Sequence, residues 1–177
     1  LIKFKKKIII FLFFFIFFIL YLYSTLNLST DTPHFWKLTK KFTYTNKNDW
    51  SQNILLWQNL GIQIYTINDN EITIIIPPGT VTDLGSSPRI LWFFCSPVDI
   101  AMASVIHDAM YLSVTKAYIN NLMPFSQLIK LRNEADNLFF ECIISQPSSL
   151  YLRAWFAWLA VRIFGLIYAY GILTTMV

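Results

Sequence analysis

Charge is scarce in this chain: Asp, Glu, Lys and Arg together make up only 14% of its 177 residues. Cysteine is scarcer, and the two present, Cys95 and Cys142, match no zinc spacing. They either pair in an oxidising compartment or stay as two buried thiols. There is no Gly-x-Ser-x-Gly elbow, no phosphate-binding Walker loop, no dinucleotide fingerprint and no zincin helix. Those absences remove the best-marked hydrolase, nucleotide-binding and metalloprotease classes. The net charge of +4 is misleading, because four lysines (Lys3, Lys5, Lys6, Lys7) precede the first apolar run. Beyond them the chain is near neutral, so no nucleic-acid partner is expected. What is plentiful is aromatic: Phe, Trp and Tyr reach 18%. That composition excludes disorder and points to a membrane. The length suits one domain.

Ile8–Tyr23 is an uncharged run of 16 residues behind the lysine cluster. As a helix it spans about 24 Å, and extension to Leu28 reaches a full hydrocarbon core. No small-residue cleavage site follows, so residues 1–28 are expected to be an uncleaved transmembrane anchor rather than a signal peptide. The positive-inside rule places the lysines in the cytoplasm and the domain on the outer side, a single-pass arrangement. Residues 29–34 (STDTPH) form a polar linker in which His34 is solvated, and residues 35–177 form the domain.

Within that domain, Phe35–Tyr44, Ile54–Trp57, Gly61–Ile67 and Glu71–Ile76 read as strands, being rich in Ile, Thr and aromatics. Asn68-Asp69-Asn70 predicts a hairpin turn between the last two. The prolines and glycines of Pro77–Pro88 end the sheet, and Ser87-Pro88 has the form of a helix start. Pro97–Leu112 is expected to be a helix, followed by a loop from Ser113 to Pro124. A second helix, Phe125–Ile144, buries Leu128, Leu131, Ala135, Leu138, Phe139 and Cys142 on one stripe. Leu150–Val177 is apolar all round with only Arg153 and Arg162 charged, which predicts a core helix covering the central pair. The alternative is a second membrane span. The fold class is therefore α+β: a membrane helix, a small antiparallel sheet, two central antiparallel helices and a long apolar C-terminal helix.

The chemistry gathers at His107-Asp108-Ala109-Met110-Tyr111. At about 100° per residue, His107, Asp108 and Tyr111 fall within one arc of an otherwise apolar helix. Asp136, four residues after Arg132, borders the stripe of the second helix. It pairs within its helix or turns toward His107. Asp83 caps a turn, ligates a cation or bonds into the site.

Four segments occur in order: Pro78–Arg89 (PGTVTDLGSSPR), His107–Tyr111 (HDAMY), Arg132–Asp136 (RNEAD) and Ala160–Gly165 (AVRIFG). Together they resemble the family catalogued as domain of unknown function 1353, common in phages, prophages and bacteria, over roughly Phe35–Leu166. The His-Asp pair with Tyr three residues on, and an Asp from a second helix, is also similar to the secreted phospholipase A2 site. That resemblance implies His107 as general base for water, Asp136 as its orienter and Tyr111 as a supporting hydroxyl. It also implies calcium on Asp108; Asp83, read from the sequence alone, is a further candidate ligand.

Two readings follow. In the first, the protein is a membrane-anchored hydrolase acting at a lipid surface. In the second, it is a non-enzymatic envelope or phage-derived structural protein, where Asp83, Ser86, His107, Asp108, Arg132, Asp136 and Arg162 form a buried polar network. A metal-binding module built on one histidine is a third and less specific option.

Overall fold

The computed structural model describes residues 36–46, 53–68, 71–82, 97–146 and 151–175. In chain order these form β1 (Trp36–Lys37), β2 (Phe42–Asn46), α1 (Ile54–Asn59), β3 (Gln63–Asn68), β4 (Glu71–Ile76) and β5 (Val81–Thr82). Three helices follow: α2 (Pro97–Ile119), α3 (Phe125–Ile144) and α4 (Tyr151–Thr175). The architecture is α+β, with two small antiparallel sheets and several helices. The expected anchor and linker, with Asp83, Ser86 and Cys95, lie outside the described residues. Among the described residues no helix is long and apolar enough to cross a membrane, α4 included.

The three-stranded sheet is ordered β2-β4-β3, with β4 in the centre and both pairings antiparallel. Alternation puts Ile72, Ile74 and Ile76 of β4 on one face, where Ile64 is the cross-strand partner of Ile74. All four are buried and join Ile106 and Met110 of α2 and Leu131 and Leu138 of α3 in one core. Each such side chain contributes about 1.5–3 kcal/mol by leaving water. On the other face Thr45 and Thr73 bring their hydroxyls to 3.0 Å. The expected β3–β4 hairpin is present, with a register irregularity between Thr66 and Asn68.

Three expectations need correction. Ile54–Trp57 is not a strand but the core of α1, since a short apolar run carries no helix-or-strand signal by itself. Trp57 is fully buried there. The helix stops on Gly61 at φ 87°, with Gly61 N–H bonded to Gln58 and Ile62 N–H to Trp57, the Schellman arrangement. Phe35–Tyr44 is not one strand: the chain leaves β1 at Leu38 and re-enters the larger sheet at Phe42. Nor does Pro77–Pro88 simply end the sheet. Pro77-Pro78-Gly79-Thr80 turns with Gly79 at φ 88°, and Val81–Thr82 then pairs with β1.

The fourth correction concerns α2, which runs seven residues past Leu112 through the stretch expected to be loop. Val114, Thr115 and Ala117 are buried, so packing carries the helix onward. It ends at Asn121, φ 57°, whose N–H meets the Tyr118 carbonyl while Leu122 N–H meets Ala117. The chain then reverses into α3. Tyr118 meets Phe125 near the turn and His107 meets Asp136 further along, so α2 and α3 are antiparallel.

α3 has the bounds its periodicity predicts, and its expected stripe is buried. α4 returns antiparallel to α3, turning Ala154 and Ala157 inward. It is not wholly a core helix: Tyr151, Leu152, Trp155, Phe164 and Leu166 are exposed. Cys142 is a free, buried thiol, and burial pushes its pKa up to about 12.

Candidate functional site: a buried His-Asp pair between two helices

α2 and α3 face each other with complementary polar groups in an apolar interface. His107 is 8% exposed and Asp136 2%. An ionised carboxylate so placed costs several kcal/mol unless partners replace its water. Asp136 has three. His107 Nε2 lies 2.9 Å from Oδ1, and the Tyr111 hydroxyl donates to the same oxygen at 2.5 Å. Arg162 of α4 brings its Nε to 3.2 Å from Oδ2, an ion pair without the alignment of a hydrogen bond.

Because a carboxylate only accepts, the neutral imidazole carries its proton on Nε2 and leaves Nδ1 as the acceptor. Nδ1 lies 3.8 Å from Asp108 Oδ1, beyond hydrogen-bond reach. Asp108 is the less buried carboxylate, its side chain 25% exposed. Its Oδ2 accepts the Thr82 hydroxyl at 2.5 Å, which ties β5 to α2. The His107 ring is flanked by Tyr111 at 4.0 Å and Phe139 at 5.1 Å between centroids. Burial by itself lowers the His107 pKa, but Asp108 and Asp136 together outweigh it and the net shift is upward. The Tyr111 pKa is raised, first by burial and then by Asp136, so its hydroxyl keeps its proton at neutral pH.

The two arginines serve different partners. Arg132 Nη1 donates to the Gly165 carbonyl at 2.6 Å, and its guanidinium lies over the Tyr111 ring at 4.2 Å. Arg162 reaches the Asn133 side chain through Nη1 and Asn137 Oδ1 through Nη2 at 2.8 Å, with Trp158 beneath it at 5.0 Å. The crevice bounded by Tyr111, Arg132, Asp136, Arg162 and Gly165 closes without space for a water molecule.

Of the residues picked from the sequence, the structure brings together His107, Asp108, Tyr111, Arg132, Asp136 and Arg162. Sequence reading missed Thr82, Asn133, Asn137 and Gly165. Thr82, Asn133 and Gly165 lie inside the motif segments quoted from the sequence, though no site role was read for them, and Asn137 follows Asp136 on the same helix. Of the two calcium ligands expected from the sequence, Asp108 is among the described residues and Asp83 is not. Calcium takes six to eight oxygens, and no three His, Cys, Asp or Glu side chains converge as ligands among the described residues.

A small α+β domain with a tyrosine-supported His-Asp pair buried between antiparallel helices is thus the class of protein defined here. Residues 61–161 match the family described as "Protein of unknown function (DUF1353)". The chain belongs to that family. The match is narrower than the Phe35–Leu166 expected from the motifs; it takes in His107, Asp108, Tyr111, Arg132 and Asp136 but stops before Arg162 and Gly165. No curated protein and no solved structure matches the chain.

Proposed function

We propose that this protein is a hydrolase acting on ester substrates at a lipid surface, with His107 as general base. The observation that carries the reading is the polarity of the pair: Nε2 is held by a sealed carboxylate, while Nδ1 faces the less buried Asp108. In this mechanism a water beside Nδ1 gives up its proton to His107 as its oxygen adds to the ester carbonyl. The proton then passes to the departing alkoxide. Asp136 fixes the tautomer and steadies the imidazolium, and Tyr111 holds Asp136. No step is assigned to calcium. The N-terminal apolar run serves as the membrane anchor, with lysines on the cytoplasmic side and the domain outside. The exposed Leu152, Trp155 and Leu166 of α4 suit work at an interface.

The experiment is fatty-acid release from phosphatidylcholine and phosphatidylglycerol vesicles by the purified full chain, with and without calcium. Release by the native protein that falls at least a hundredfold in His107→Ala is expected. No release, or release unchanged by the substitution, overturns the reading.

A second reading, a non-enzymatic envelope or phage-derived scaffold, is favoured by one observation. The crevice on the α4 side of Asp136 has no room for water, and there Arg162 pairs with Asp136 while Arg132 Nη1 donates to the Gly165 carbonyl. On that reading the network specifies how three helices pack.

A further inference from the structure

Gly165 lies within α4, where glycine destabilises a helix by about 0.5–1 kcal/mol relative to alanine. Its backbone needs no left-handed conformation, so the reason for glycine is spatial. A β-carbon built there would stand 2.6 Å from the Tyr111 hydroxyl and 3.3 Å from Cε1 and Cζ of the ring. The first distance is one real β-carbons do not adopt. A tyrosine ring is rigid, so relief requires the whole side chain to withdraw. Its other sides are occupied: the His107 ring at 4.0 Å and the Arg132 guanidinium over its face at 4.2 Å. Arg132 is in turn tied to the carbonyl of Gly165 itself. The hydroxyl that Gly165 admits is the one donating to Asp136 Oδ1, the oxygen that His107 Nε2 also contacts.

We infer that Gly165 is a positioning residue of the His107–Asp136 site, acting through Tyr111: its missing side chain lets the hydroxyl seat on Asp136. The inference rests on that pair being the functional site, but its test needs no substrate. A buried phenol hydroxyl that donates to a carboxylate makes a charge-assisted bond. Its proton resonates far downfield and exchanges slowly. In proton NMR of the full chain in detergent micelles, the native protein shows this resonance, and Tyr111→Phe identifies it by losing it. Gly165→Ala is expected to lose it or move it strongly upfield. Denaturant unfolding supplies the second readout. Gly165→Ala lowers the unfolding midpoint in the native background, whereas in the Tyr111→Phe background the cost shrinks, because the clashing oxygen is gone and only the 3.3 Å ring contacts remain. If Gly165→Ala alone does not fold, recovery of folding in the double variant supports the inference. Retention of the native resonance in Gly165→Ala overturns it, as does an equal cost in both backgrounds or a double variant no better folded than the single. Failure of vesicle hydrolysis bears on the proposed reaction and leaves this inference standing.

Discussion

The carboxylate of Asp136 and the imidazole of His107 meet at 2.9 Å across the α2–α3 interface, 29 residues apart in the chain. Two further side chains close on the same carboxylate. Tyr111 shares the oxygen that His107 uses, and Arg162 faces the other one. The contact joins the two central helices chemically as well as by packing, and it motivates the following predictions.

Stability should depend on pH through His107. Its folded pKa is raised above the ordinary 6.5 despite burial, because Asp108 and Asp136 favour the imidazolium. The folded state therefore holds this proton more tightly than the unfolded chain. The stabilisation is complete below pH 6.5 and is lost as pH rises through the folded value. Urea midpoints measured from pH 5.5 to 9 should fall with rising pH. In His107→Gln that slope should flatten.

Removing Asp136 leaves Arg162 and the Tyr111 hydroxyl facing a site stripped of its anion. Breaking one side of a buried ion pair costs about 3–5 kcal/mol, so Asp136→Ala should shift urea unfolding by that amount. A cycle with Arg162→Met should show coupling of about 0.5–3 kcal/mol, because the pair shares one contact. Additive costs would place Arg162 outside the network despite its 3.2 Å approach.

The end of α2 offers a backbone test independent of the site. Asn121 occupies φ 57°, a left-handed conformation that a side chain without local hydrogen bonding resists. Asn121→Ala should destabilise by about 1 kcal/mol and Asn121→Gly should be neutral or stabilising. The comparison is read from thermal melts. If alanine matches glycine, the Asn121 cap does not set the stop.

Periodicity and capping chemistry made part of this structure readable. The bounds of α3 follow from its apolar stripe and the flanking Pro124, and the β3–β4 hairpin follows from Ile-rich alternation around Asn68. His107, Asp108 and Tyr111 share a helix face by arithmetic alone. The real stop of α2 also had a local sign in Asn120-Asn121, though the polar loop was expected to begin earlier, at Ser113. Ile54–Trp57 carried no such sign, because a four-residue apolar run fits a strand as well as a helix. There the buried Trp57, whose indole donates to Glu134 of α3 at 3.0 Å, and the Gly61 stop mark the helical turn.

By itself, the sequence determined which segments could bury a face and which side chains a single helix could gather, since both depend on spacing along one chain. The tertiary structure alone decided partners. Asp136 could have closed on Arg132 four residues before it, yet it is His107, Tyr111 and Arg162 from two other helices that surround it. Gly165 gained its meaning only when α4 lay against Tyr111. Contacts between distant segments depend on how helices cross and how closely they approach, and linear spacing holds no record of either.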